Sequence, residues 1–313
     1  MRKILFDNNK EKELLEKGYT TTSFLSAQEV AMLLEGLGKL RPDNSFDISN
    51  NDNSLPSYHY SILDTDIEYK QKSTSLIQEI FQPNVNRIFN NYQLLTSSFF
   101  IKPPYKGFLD AHQHFPITTD FNDISVIIWC PLIDVDESNG TLQVVEGSHK
   151  ITPGVFAFGY PPFFIDYCAN IKKYSKPIPL KAGEAIIFDN NLIHWSTENN
   201  SSKYRFTAQA LALPSEIKPV FYYFDSNSPQ RFEVFEVNSK FFIEQILMEL
   251  FEKPPKNLKS LGFVENKNQV LSEQTFADLL NQRVEIRSEI KVIKQEKSKK
   301  FNWLAKLYSK IKK

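Results

Sequence analysis

Four of the chain's five histidines, His112, His114, His149 and His194, fall between Asp110 and Arg205. His112 and His114 stand two residues apart in Asp110-Ala-His112-Gln-His114. On a strand, that spacing turns both imidazoles to one face, and Asp110 with them. His194 lies far along the chain, at the end of another apolar segment. A near pair plus one distant histidine is how a small β-barrel assembles a metal site across adjacent strands. Imidazole donors suit iron, zinc, copper and nickel. The competing arrangement is two histidines on a solvated strand face. Ser196 follows His194 by two residues, and Arg205 returns after the turn Asn199-Asn-Ser-Ser202. An arginine inside a barrel is costly unless it meets an anion, and its planar fork matches a carboxylate. The alternative is a surface arginine beside an acidic side chain. His149 sits in the turn Gly147-Ser-His149, and the lone His59 reads as structural or solvent-facing.

The elements that must position these residues are short. Leu94–Lys102 reads as a strand closed by Pro103-Pro104. Ser125–Leu132 is a continuous apolar run of strand length, which implies burial on both faces. Thr141–Val145, Glu184–Phe188, Leu192–His194 and Tyr204–Leu213 follow, separated by turn residues such as Asp136-Glu-Ser-Asn-Gly140 and Ala182-Gly183. Short strands between turn clusters predict a barrel or sandwich rather than a parallel sheet. Before them, residues 10–38 read as helical with a break at Gly18, and Ser26-Ala-Gln-Glu29 matches a helix N-terminal capping box. Residues 66–91 form a further predicted helix. Residues 42–57, rich in Asn, Asp and Ser, and the aromatic stretch 153–170 are loops able to cover a pocket. After Pro214 the pattern changes: Phe232–Val237 alternates as a strand and 238–252 reads as a helix. The chain thus divides into a barrel with N-terminal helices, 1–216, and an extension, 217–313. The extension ends in a basic amphipathic helix, 291–313, with Phe301, Leu304, Leu307, Tyr308 and Ile311 on one face. Such a helix can lie on an anionic membrane, bind a partner, or pack back on its own domain.

Composition narrows the class. Lysine plus arginine equals aspartate plus glutamate, 37 of each, which argues against a dedicated nucleic-acid binder. Two cysteines, Cys130 and Cys168, form no disulfide framework and suit a reducing compartment. No secretion signal and no run of membrane-spanning length is evident, so a soluble, cytoplasmic protein is expected.

In order, His112-Gln, Trp129-Cys-Pro-Leu132, Asn139-Gly-Thr-Leu142, Gly147-Ser-His149, Phe188-Asp189, Ile193-His194-Trp-Ser196, Asn199 and Arg205 resemble the phytanoyl-CoA dioxygenase family. The resemblance spans about residues 95–215. It implies a mainly β, α+β fold with flanking helices, built on a double-stranded β-helix (a cupin-like jelly roll). It implies a non-haem Fe(II)- and 2-oxoglutarate-dependent oxygenase acting on a small or carrier-bound metabolite, with hydroxylation as the default outcome. By the same resemblance His112 and His194 are iron ligands. Arg205 would hold the distal carboxylate of 2-oxoglutarate with help from Ser196, and Trp129 would line the cosubstrate pocket.

One departure stands out. The family has His-x-Asp where this chain has His112-Gln-His114. Three consequences are open, in this order: His114 completes a three-histidine site, Asp110 or Asp120 supplies the carboxylate after a register shift, or iron chemistry is lost. Beside the oxygenase reading stand a three-histidine metalloenzyme that does not use 2-oxoglutarate (a direct dioxygenase, or a zinc hydroxide site) and a non-catalytic binding barrel.

Overall fold

The computed structural model describes residues 2–286 and 292, apart from 44–45, 47–56, 152–154, 158 and 252. The basic helix expected over 291–313, apart from Val292, and most of the loop 42–57 therefore lie outside the described residues. The chain opens with helix α1 (Asn8–Lys17), strand β1 (Tyr19–Ser23) and helix α2 (Ala27–Leu40). Asp7 caps α1 by accepting from the Asn9 and Lys10 amides, and the helix ends at Gly18 with φ 89°. The expected capping box opens α2: Ser26 accepts from the Glu29 amide and the Glu29 carboxylate accepts from that of Ser26. Strand β2 (His59–Tyr60), helix α3 (Ile67–Ile88) and strands β3 (Tyr92–Lys102), β4 (Leu109–His112), β5 (Val126–Pro131) and β6 (Leu142–Val144) follow. Helix α4 (Cys168–Ile171) precedes β7 (Lys176–Ile178), β8 (Glu184–Asp189), β9 (His194–Ser196) and β10 (Arg205–Pro214). The remainder is β11 (Val220–Phe224), β12 (Arg231–Glu236), helix α5 (Ser239–Glu244), β13 (Ser260–Glu265) and helix α6 (Glu273–Gln282).

Two antiparallel sheets build the barrel, one ordered β1-β8-β5-β10-β3-β2 and the other β4-β9-β6-β7. From β3 to β10 the chain passes back and forth between them, which is the winding of a double-stranded β-helix. Alternation sorts the side chains. Ile127 and Trp129 of β5 and Leu211 and Leu213 of β10 meet Leu142, Val144 and Ile178 of the smaller sheet. Their neighbours Val126, Ile128, Cys130, Ala208, Ala210 and Ala212 face the helices, where Leu33, Ile77 and Phe81 cover them. The three alanines leave room for α3 to seat close to the sheet.

Beyond β10, strands β11-β12-β13 form a third sheet. It is tied to the segment after the histidine pair: the Val220 amide donates to the Ile117 carbonyl at 2.8 Å, and the Tyr222 hydroxyl to the Thr118 carbonyl at 2.8 Å. The helix expected over 238–252 is instead α5, a break at Gln245, and a 3-10 turn, Leu247–Phe251. The buried ammonium of Lys70 holds that break by donating to the Gln245 carbonyl at 2.7 Å.

Candidate metal centre

Strand β9 is the spine of the site. It pairs with β4 on one side and β6 on the other, placing His194 opposite both His112 and Val144. His194 is buried, and its Nδ1 lies 2.8 Å from the Leu192 carbonyl. The Nδ1 of His112 lies 2.8 Å from the Asp110 carbonyl. A carbonyl can only accept, so each Nδ1 carries the proton and each Nε2 presents a lone pair. This is how outer partners fix the tautomer of ligating histidines.

His114 joins them by a different route from the one expected. Strand β4 stops at His112, so His114 is not its strand neighbour. It lies in the following segment, where its amide donates to the Asn190 carbonyl at 3.0 Å and its ring meets Phe188 edge-on. Its Nε2 stands 3.1 Å from that of His194. One nitrogen from each of the three imidazoles falls within a 4.8 Å spread. Burial holds all three rings neutral: His112 is lowered, His114 falls to about 3, and His194 drops well below the ordinary histidine value. Neutral imidazoles whose ring nitrogens converge this closely fit a divalent transition metal.

The two carboxylates considered as substitutes are engaged elsewhere. Asp110 does not share the face of the histidines. Its carboxylate is exposed, pairs with Lys172 at 3.0 Å and accepts from the Ala111 amide. Asp120 caps its own turn through Asn122. Among the described residues, this three-histidine group is the only cluster of metal-ligating side chains. His149 lies apart, its ring against the Leu15 carbonyl, and His59 is buried on β2 beside the Tyr69 hydroxyl.

Two residues beyond His194, the strand meets a buried cationic well. Arg205 is 1% exposed and Lys102 is 0% exposed. They are register partners on β10 and β3. The Lys102 ammonium donates to Ser196 Oγ at 2.6 Å and to the Thr197 carbonyl. Ser196 thus meets Lys102 rather than Arg205. The Arg205 guanidinium lies between the rings of Phe100 and Trp129, 5.1 and 5.3 Å from their centres. Its Nε and Nη2 have no hydrogen-bond partner. Burial lowers Arg205 to about 9, and burial together with Arg205 lowers Lys102 to about 5. The Arg205 guanidinium, with two unpartnered nitrogens, lies beside a lysine that burial leaves uncharged and that an incoming carboxylate would hold as ammonium, so the two form a socket for an anion.

The family motif residues support this socket. The buried Asn199 amide donates to the Lys203 and Pro103 carbonyls, fixing the turn that leads into Arg205. Gly140 takes φ +84°, and a Cβ there would sit 2.8 Å from the Thr197 carbonyl, the one Lys102 holds. Lys102 was missed in the sequence. It ends an apolar strand before two prolines, where a lysine ordinarily snorkels to water.

The winding of the sheets and the grouping of His112, His114 and His194 define a jelly-roll protein of the metal-centred type. The sequence profile of the phytanoyl-CoA dioxygenase family matches residues 15–207. The chain belongs to that family. A probable alpha-ketoglutarate-dependent hypophosphite dioxygenase of Stutzerimonas stutzeri is 26% identical over 158 residues, 45% of this chain and 52% of the relative. The chain therefore spans about half the length of that curated relative. Among solved structures, the non-heme alpha ketoglutarate dependent carbocyclase SnoK from nogalamycin biosynthesis aligns at TM-score 0.49 and 15% identity, covering 68% of this chain and 86% of its own. HygX from Streptomyces hygroscopicus with nickel and 2-oxoglutarate bound aligns at TM-score 0.47 and 12% identity, covering 67% and 88%.

Proposed function

We propose that the protein is an Fe(II)- and 2-oxoglutarate-dependent oxygenase in which three histidines replace the usual pair of histidines and a carboxylate. The observation that carries this reading is the conjunction on one strand: His194 in the imidazole cluster, and Ser196 at the edge of the Lys102–Arg205 socket. His112, His114 and His194 would hold the metal through nitrogen. Arg205 would grip the distal carboxylate of 2-oxoglutarate by a charge-assisted, two-pronged contact, with Phe100 and Trp129 excluding water around it. The bound metal and cosubstrate would supply the oxidising power, 2-oxoglutarate being decarboxylated to succinate as dioxygen is consumed. Three neutral donors leave the full divalent charge on the metal, and the dianionic cosubstrate offsets it.

The test is succinate formation from 2-oxoglutarate under oxygen with added Fe(II), and its loss in Arg205→Ala. Wild-type protein that neither binds nor turns over 2-oxoglutarate would end the proposal.

A second reading draws on the absence of a carboxylate from the cluster: a three-histidine metalloenzyme that works without 2-oxoglutarate, Arg205 then receiving a substrate carboxylate. Three histidines and water also suit zinc. Metal analysis of protein purified without added metal, and oxygen consumption with and without 2-oxoglutarate, separate the two.

A further inference from the structure

A chamber of about 530 Å³ opens beside His112 and His114. Among the described residues, no lysine, arginine, aspartate or glutamate lines it. Its walls are chiefly aromatic and aliphatic, Phe115 and Phe156 being stacked at 5.0 Å. Much of one wall comes from beyond the family match, from Phe221, Phe242, Leu247 and Phe251. That wall is fixed to the barrel by the Val220–Ile117 and Tyr222–Thr118 hydrogen bonds and by Lys70.

Two polar atoms in this apolar setting have no partner. The Oδ1 of Asn190, a residue 1% exposed, is one. The Asn190 amide nitrogen donates to the Phe115 carbonyl, which fixes the oxygen on the other side. The other is Thr96 Oγ1. By contrast, the Tyr60 hydroxyl is already bonded to Gln209 at 2.6 Å. A buried, unsatisfied acceptor and hydroxyl cost free energy until something bonds to them.

We propose that this chamber takes a neutral, mainly hydrocarbon substrate carrying a hydroxyl or N–H group. Asn190 Oδ1 orients that group, Thr96 Oγ1, three strands away across the sheet, receives a second polar atom at the far side, and the extension 217–251 acts as the specificity wall. The assignment rests on the oxygenase reading for which carbon reacts, but its binding chemistry stands alone. Apart from a metal at the histidines, an ionised head group finds no counter-charge among the residues that line the chamber and would be desolvated without compensation. The anion socket at Lys102 and Arg205 is separate from this chamber, since neither residue lines it.

The test is calorimetric titration of the full-length protein, cleared of metal with EDTA, with hexan-1-ol, octan-1-ol and decan-1-ol, with octane-1,8-diol, and with octanoate and octylammonium. Affinity is expected to rise about fourfold per added methylene. Octanoate and octylammonium are expected to bind at least about thirtyfold more weakly than octan-1-ol. Thr96→Val removes only a hydroxyl without a partner, so it should keep the melting temperature and weaken octane-1,8-diol about fivefold. Phe251→Asp, at a position 47% exposed and so safe for folding, should weaken decan-1-ol at least about tenfold. Octanoate binding as well as octan-1-ol, no dependence on chain length, or an unchanged alcohol series in Phe251→Asp would each overturn the proposal. Protein that binds the alcohols in this order yet forms no succinate keeps the chamber and loses the oxygenase reading. Succinate formation without this order of binding does the reverse.

Discussion

Replacing Lys102 by methionine should have two effects of opposite sign. The side chain is fully buried, beside the buried Arg205 guanidinium. Its ammonium is lowered to about 5 in the folded protein, whereas an unfolded chain keeps the ordinary lysine value. Between those values the unfolded chain binds the extra proton, so stability rises with pH across that window and is depressed below its upper end. At pH 7 the cost is on the order of 5 kcal/mol. Methionine has nearly the same length and no charge. It forfeits the bonds to Ser196 and the Thr197 carbonyl, about 1 kcal/mol each. Lys102→Met should therefore stabilise the protein without 2-oxoglutarate, by about 2 kcal/mol or more, and flatten its stability between pH 6 and pH 9. The same change removes the amine that bound 2-oxoglutarate would hold protonated, weakening 2-oxoglutarate by about tenfold to a hundredfold, as expected for a bond to a charged group. Urea unfolding with and without 2-oxoglutarate, at several pH values, reads both effects. A variant that unfolds at lower urea and binds 2-oxoglutarate as before would show that Lys102 merely ties down Ser196 and Thr197. The socket argument would then be wrong.

Arg205→Leu should abolish succinate formation and weaken 2-oxoglutarate by at least about a hundredfold, since it removes one partner of a buried pair; equilibrium binding checks this. His114→Ala should lower bound metal per protein, measured by elemental analysis, whereas Asp110→Ala should leave it unchanged because that carboxylate pairs with Lys172. His114→Asp restores the usual donor set of the family and is expected to retain iron; a variant that folds and holds none would show that the 114 side chain does not reach the metal. His59 is lowered to about 4, chiefly by burial, so stability should fall as pH drops from about 6.5 toward 4. The window spans on the order of 3 kcal/mol, and urea midpoints of His59→Gln should lose that part of the slope.

The sequence by itself determined the elements and the inventory of chemistry. Apolar runs of strand length between turns placed the strands of the barrel from β3 to β10 except β4 and the three-residue β7, which opens on exposed Lys176-Pro177 and has no apolar run to announce it. The Ser26–Glu29 box is a local hydrogen-bond pattern, so it was legible without any tertiary knowledge. The ordered motifs from His112 to Arg205 pointed to the family and to the residues that the structure gathers. The third sheet was read only through β12, because β11 and β13 lack clear alternation until they have partners.

What only the tertiary structure decided are the properties that come from proximity. The position of His114 depends on the Asn190 carbonyl that receives its amide, not on strand periodicity, because β4 ends before it. Lys102 turns from an ordinary strand-end lysine into half of an anion socket once β10 sets Arg205 opposite it and β9 brings Ser196 to its ammonium. The chamber wall joins residues more than a hundred positions from His112 and His114. Local sequence encodes propensity and pattern, whereas burial, unpaired polar atoms and shifted protonation arise only when distant strands meet.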